Sequence, residues 1–178
     1  MDIAAFMALA AACAPQVHAD TASSLVAVES AFNPYAIGVV GGSLDRQPRS
    51  YAEALATAGA LQARNWNFSV GLAQINVGNF ERFGLNLATA FEPCRNLAAM
   101  QDVLRECFDR SALRETTPQR ALRQSLSCYY GGNFTTGFMH GYVRRVVLAA
   151  TRPASRAPPA SVATSAATRI SKPIKELR

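Results

Sequence analysis

The stretch Asp20-Thr21-Ala22-Ser23-Ser24-Leu25-Val26-Ala27-Val28-Glu29-Ser30-Ala31-Phe32-Asn33-Pro34 reads as one helix, and its inner face decides the fold. Asp20 is a candidate cap, and Asn33-Pro34 stops the helix, because the residue before a proline is pushed out of the helical region. Leu25 and Val26 precede Glu29 by four and three residues, and Phe32 follows it by three. These spacings place Glu29 on the apolar face. A carboxyl there loses water, which disfavours its charged form and raises its pKa. Such a group can stay protonated near neutrality and serve as a general acid. Taken alone, the helix leaves an ion-paired or backbone-capping glutamate as the commoner reading.

Outward from this helix the pattern stays helical. Ser50 and Glu53 form a capping box before a helix to about Arg64. Asn96 opens a helix with Leu97, Met100, Leu104, Cys107 and Phe108 on one stripe. Thr117-Pro118 pairs a cap with proline at the first helical position, and Gly131-Gly132 suits a left-handed end to that helix. A last helix is predicted over about 137–150, with Phe138, Tyr142, Val146 and Ala149 on one face. Residues 33–49 and 65–95 are glycine-containing loops, with room for short strand pairing within 35–45 and 66–76. The expected fold class is therefore mainly α, an α+β chain with at most a small β element.

The 178 residues suffice for one domain of ordinary size. Hydrophobic residues make up 49% and charged residues 17%, a composition that can bury a core. The longest apolar run, residues 3–15, is too short to span a bilayer as a helix. It imitates a signal peptide, but Asp2 stands where a basic residue is expected, which favours a buried first helix. The net charge of +6 is unevenly placed: residues 151–178 hold six basic groups against Glu176. The body is nearly neutral, which argues against a nucleic-acid-binding domain. The division expected is one folded domain over 1–150 and a flexible basic tail, rich in Ala, Pro, Ser and Thr, over 151–178. Cys13, Cys94, Cys107 and Cys128 lack CxxC spacing, so a zinc site is poorly supported. Their even count fits either two disulfides or four buried thiols. If residues 96–109 and 118–130 form an antiparallel pair, Cys94 and Cys128 meet at one end, which favours a Cys94–Cys128 bridge.

Two further segments bear on Glu29. Gly71-Leu72-Ala73-Gln74-Ile75-Asn76 enters an apolar string through a glycine, and Gln74 and Asn76 share a side if the segment is extended. Amides suit sugar hydroxyls and acetamido groups. In Ser127-Cys128-Tyr129-Tyr130-Gly131-Gly132-Asn133-Phe134, Tyr129 lies on the inward face, where its hydroxyl needs a polar partner that a protonated carboxyl would provide. Each segment alone reads equally as core or loop packing.

In order, Glu29-Ser30 with Asn33-Pro34, Gly71-Leu72-Ala73-Gln74 and Tyr129-Tyr130-Gly131-Gly132 resemble the lysozyme-like lytic transglycosylases of the soluble-lytic-transglycosylase family. That pattern is Glu-Ser at a helix end, Gly-Leu-Met-Gln, then Tyr-Asn-x-Gly. Cys13-Ala14-Pro15, Ala36-Ile37-Gly38-Val39, Trp66-Asn67-Phe68-Ser69, Ile75-Asn76, Phe91-Glu92-Pro93-Cys94 and Gly132-Asn133-Phe134 resemble the VirB-type members encoded with type IV secretion systems. Ala73 and Tyr130 depart from the pattern, standing for Met and Asn.

The resemblance implies a lysozyme-like fold and cleavage of the β-1,4 bond between N-acetylmuramic acid and N-acetylglucosamine, leaving a 1,6-anhydro product. Glu29 would be the catalytic acid and then base. Ser30 and Tyr129 would orient the carboxyl and the acetamido group, and Gln74 and Asn76 would hold sugar. Most glycosidases flank the bond with two carboxylates. No second carboxylate falls in the matching motifs, and Asp45 and Glu53 are the nearest in sequence. A hydrolase of the goose-lysozyme type, with Asp45 positioning water, and a non-catalytic wall-binding assembly factor are the competing readings. The implied chemistry needs no metal or cofactor, and His18 and His140 are isolated. The implied partners are peptidoglycan glycan strands and secretion-system components, the latter through the tail. The implied location is the periplasm, with the chain a monomer. Trp66 and Phe68 are candidates for sugar stacking, with core packing at least as good an account.

Overall fold

The computed structural model describes residues 1–151. Seven helices run in chain order: α1 Ile3–Cys13, α2 Ala19–Ser30, α3 Tyr51–Ala63, α4 Pro93–Ala112, α5 Pro118–Gly131, α6 Thr136–Met139 and α7 Tyr142–Ala150. A three-stranded antiparallel sheet lies between them in sequence, with β1 Ile37–Val39, β2 Phe68–Val70 and β3 Ile75–Asn76 in spatial order β1-β2-β3. Ile37 pairs with Val70, and Ser69 with Asn76. The chain is thus mainly α with a small β element, and the strands fall within the windows expected of them.

Local chemistry sets the helix ends. At α2 the cap is His18, whose Nδ1 accepts from the Asp20 amide at 3.3 Å, rather than Asp20 itself. The Ser50 hydroxyl accepts from the Glu53 amide, while the Glu53 carboxylate reaches the Arg49 amide and pairs with Arg46. Thr117 caps α5 ahead of Pro118, and Gly132 closes it at φ +73°. Helix α4 starts at Pro93, so Asn96 lies inside its first turn, fully buried. The single last helix expected over 137–150 is two. Gly141, at φ +67°, separates α6 from α7, and the break turns Phe138 out to solvent while Tyr142 goes in.

One core joins all layers. It gathers Phe6 and Ala10 of α1, Leu25 and Val26 of α2, Phe68 and Val70 of β2, Leu97 and Met100 of α4, and Tyr142 and Val146 of α7. Removing these apolar side chains from water supplies the main drive to fold. Phe68 is fully buried and Trp66 is packed against the same cluster, so core packing accounts for both. The first helix is a core element, as its charge pattern suggested. Among the described residues, no helix is long and apolar enough to cross a membrane.

The cysteine pairing differs from the one expected. The bridges are Cys13–Cys94 and Cys107–Cys128, not Cys94–Cys128. Helix α4 has 20 residues and α5 has 14, so in the antiparallel pair the start of α4 overhangs α5 by several residues. Cys94 therefore meets the end of α1. Cys107 comes level with Cys128 across the hairpin.

Candidate functional site

Glu29 projects from the last turn of α2 into a cleft of about 490 Å³. One wall is β1 and the loop beyond it, through Gly38, Val39 and Val40. The floor is Ser69, Gln74, Ile75 and Asn76, and the far side is Val103 of α4 with Tyr129, Tyr130 and Gly132 at the end of α5. Immediately after Ser30, Ala31 and Phe32 both take left-handed backbone, at φ 51° and 61°. Such conformations are costly for residues with side chains and cluster at sites where surrounding packing imposes them.

The carboxyl is partly buried and has one side-chain partner. The Tyr142 hydroxyl donates to Glu29 Oε1 at 2.5 Å, across 113 residues of sequence. Burial raises the Glu29 pKa from its ordinary 4.5 to about 7, outweighing the Tyr142 hydrogen bond and the Arg145 charge, which both lower it. Burial first, and the nearby Glu29 charge second, hold the Tyr129 and Tyr142 phenols well above their ordinary 10.0. Tyr142 is thus a permanent donor at neutral pH. The arrangement is a carboxyl poised near neutrality, able both to give a proton and to take one back.

Four of the five expected site residues meet in the cleft: Glu29, Gln74, Asn76 and Tyr129. Ser30 does not line it. Its hydroxyl bonds back to the Val26 carbonyl at 3.3 Å, so it has no bond to the Glu29 carboxyl. Tyr129 points inward as its helical phase required, but its hydroxyl donates to the Ala73 carbonyl at 2.6 Å rather than to Glu29. The carboxyl's donor is Tyr142, which the sequence reading left as an apolar-face residue. The signal available was a tyrosine among aliphatic neighbours on a helix, a hydroxyl that burial obliges to find a partner.

The segment bearing Gln74 is a tight turn, not an extended strand. Gly71 and Gln74 take φ +81° and +50°. The Gln74 amide nitrogen donates to the Ala36 and Gly71 carbonyls, tying the turn to the start of β1. Asn76 donates to Asn67 Oδ1 and Ser69 Oγ across the sheet. Beneath the turn lies Asn96, which sequence reasoning placed only as a helix start. Its Oδ1 accepts from the Ala73 amide at 2.8 Å, and its Nδ2 donates to the Val70 and Ala90 carbonyls at 3.0 and 2.8 Å. A β-carbon on Gly71 would come within 2.3 Å of Asn96 Nδ2, so the glycine is required there by space as well as by φ.

Among the described residues lining the cleft, Glu29 carries the one carboxylate. Asp45 is exposed and lies off the lining, and Glu53 is engaged with Arg46 and the Arg49 amide. Among the described residues, no group of His, Cys, Asp and Glu gathers as metal ligands do. His18 caps α2 and His140 Nδ1 sits 3.2 Å from the Tyr130 hydroxyl.

Residues 6–143 match the family model of the transglycosylase SLT domain. The chain belongs to the transglycosylase SLT family. Its fold is accordingly lysozyme-like and its class of activity is that of a transglycosylase. The chain is 44% identical over 180 residues to the type IV secretion system protein virB1 of Brucella suis, covering 96% of this chain and 76% of that protein. It is 38% identical over 151 residues to protein virB1 of Rhizobium radiobacter, covering 83% of this chain and 61% of the relative. Protein virB1 of Agrobacterium fabrum is 35% identical over 152 residues, with 84% and 61% covered. No solved structure matches the chain. In SLT terms the two departures now have positions: Ala73 is fully buried, with its carbonyl on Tyr129, and Tyr130 stands at the cleft rim.

Proposed function

We propose that this SLT-family chain is a peptidoglycan lytic transglycosylase that opens the cell wall locally for a type IV secretion system, with Glu29 as its catalytic residue. The observation that carries the assignment is the partly buried Glu29 carboxyl, unaccompanied by a second acid on the cleft lining and holding a pKa near 7. In the protonated form Glu29 gives its proton to the glycosidic oxygen as the bond from the muramyl C1 breaks. The substrate's own acetamido oxygen stabilises the positive charge developing at C1, so no enzyme nucleophile is needed. Glu29, now ionised, takes the proton of the muramyl 6-hydroxyl as that oxygen attacks C1. The 1,6-anhydro ring closes and the acid is restored. Tyr142 donates to the carboxylate during its ionised interval. Gln74 offers its carbonyl oxygen to the sugar, Asn76, whose Oδ1 accepts from the Gly78 amide, meets the sugar from the cleft floor, and Tyr129 acts through Ala73 to fix the turn that carries Gln74. Ser30 supports the helix end.

The virB1 relatives support the secretion role, and a chain with that role works in the cell envelope. Two disulfides agree with an oxidising compartment, the periplasm. The enzyme acts as a monomer. Residues 1–150 are the catalytic domain, and residues 151–178, which lie outside the described residues apart from Thr151, are a basic tail that engages the secretion apparatus.

The test is digestion of purified sacculi with the full chain, with a chain ending at residue 150, and with Glu29→Gln, followed by mass spectrometry of the soluble products. Anhydro-muropeptides are expected from the first two. Glu29→Gln should lose about two to four orders of magnitude in rate. Reducing-end muropeptides would instead indicate a hydrolase. A truncated chain without activity would refute the domain division.

A further inference from the structure

Tyr130 is the residue that departs from the expected Asn, and its surroundings are specific. Its ring stacks on the Tyr142 ring, with centroids 4.6 Å apart and planes 21° from parallel. Its hydroxyl lies 3.2 Å from His140 Nδ1, and the His140 ring meets it edge-on at 5.8 Å. Tyr130 is itself 41% exposed and lines the cleft, while Tyr142 beneath it is 1% exposed. The tyrosine pair therefore forms two layers, with the outer ring in solvent and the inner one bonded to Glu29. Offset stacking of this kind holds a ring at a fixed height and excludes water from its face.

We propose that Tyr130 is a positioning residue that roofs the Tyr142–Glu29 hydrogen bond, pinned over it by stacking and by His140, and so keeps water off the catalytic carboxyl. The proposal rests on Glu29 being the catalytic acid. Its physical content is that Glu29 keeps its proton near neutrality because burial strips the carboxyl of water, and solvent reaches it from the open cleft that Tyr130 also lines. The ionisable groups facing this centre are few. Helix α7 contributes Tyr142 and Arg145, whose guanidinium lies 5.8 Å from the centre of the Tyr142 ring and whose Nη1 donates to the His140 carbonyl. Helix α5 contributes Tyr129. His140 faces Tyr130 from the α6–α7 turn. Helix α1, packed on α2, has no ionisable side chain from Ile3 to Cys13 other than the disulfide-bonded Cys13. Arg145 and the Tyr142 hydroxyl favour the ionised carboxyl, so exclusion of water opposes them both.

The test compares Tyr130→Asn, which installs the expected family residue and removes the roof, with Tyr130→Phe, which keeps the ring with its stacking and its edge contact with His140 and loses only the hydroxyl's approach to His140 Nδ1. In the full chain, kcat/KM on sacculi is followed against pH, and the Glu29 carboxyl is titrated by carbon NMR in the same proteins. Removing the roof admits water and stabilises the ionised form, so the alkaline limb and the NMR midpoint of Tyr130→Asn should both fall by about one pH unit or more. Tyr130→Phe should leave both in place. A Tyr130→Asn midpoint unmoved from the parent's overturns the proposal. So does a Tyr130→Phe midpoint that falls as far as that of Tyr130→Asn, because the hydroxyl rather than the ring would then matter. Because Tyr130 is at the surface, thermal unfolding of both variants should stay close to the parent's. A parent that titrates as described but yields no anhydro product would sink the catalytic reading while leaving the roof itself measured.

Discussion

The Glu29 carboxyl sits between opposing influences, and each belongs to a nameable group. Burial raises its pKa to about 7, while Tyr142 and Arg145 lower it. The sign of each substitution follows. Tyr142→Phe removes a donor that favours the ionised form, so the Glu29 pKa should rise and the alkaline limb of the pH–rate profile should move above neutrality. That is the direction opposite to the one expected for Tyr130→Asn. Losing the hydrogen bond also frees the carboxyl to leave its reactive position, and kcat should fall about tenfold to a hundredfold. Steady-state rates from pH 5 to 9 read both effects. A variant with normal kcat and an unmoved limb would remove Tyr142 from the mechanism. Sequence spacing put Glu29 and Tyr129 on the inner faces of their helices, and both side chains do line the cleft, since their facing depends on helical period alone. It missed Tyr142 because that partner is 113 residues away and a second helix had to be placed before the pair existed.

At the scale of elements, the Gly71–Gln74 turn carries the floor of the cleft, and besides the Tyr129 and Gln74 hydrogen bonds it is tied to the fold by one side chain buried beneath it. Asn96 is fully buried and satisfies the Ala73 amide and the Val70 and Ala90 carbonyls. Asn96→Ala would leave all three backbone groups without that partner inside the protein. Each unsatisfied buried group costs on the order of 1–3 kcal/mol, so three of them make a loss of about 3 kcal/mol or more the expected result of urea unfolding. The rate on sacculi should fall with it, since Gln74 and the Tyr129 anchor both sit on this turn. A loss below about 0.5 kcal/mol, within the range of surface substitutions, would show that the turn is held by other contacts. The glycine before the turn was legible as punctuation, and the asparagine beneath it was not. A polar residue in an apolar helical stripe signals a buried partner, but nothing in α4 alone says which backbone it meets.

For the whole molecule, the two bridges staple different distances. Cys13–Cys94 closes a separation of 81 residues, and Cys107–Cys128 one of 21. On the chain-entropy model, restricting the unfolded chain contributes about 4–5 kcal/mol for the first and about 3 kcal/mol for the second. Cys13→Ala with Cys94→Ala should therefore lower the unfolding midpoint more than Cys107→Ser with Cys128→Ser does. The first pair ties α1 to the start of α4 and so holds α1 against the α2 that carries Glu29. The second reinforces two helices already in contact. Scanning calorimetry of the two double variants gives the order, and the reverse order would mean that local strain or residual unfolded structure outweighs loop length. The error over Cys94 arose at this scale. It assumed helices of matched length, whereas α4 runs 20 residues against 14 for α5.

The sequence by itself determined the helical class, the short strands, the helix that presents Glu29, the capping at Ser50 and Thr117, and the order of motifs that marks the family. All of these depend on neighbours within a few residues or on spacing along the chain, where period and backbone preference act. Only the tertiary structure decided which cysteines pair, which tyrosine holds the acid, that Ser30 turns back to its own helix, and that Gly141 splits the last helix so that Tyr142 faces inward. Those outcomes depend on where separate elements end and how they overlap. The physical quantity involved is the water excluded when they close on one another, and no local pattern contains it.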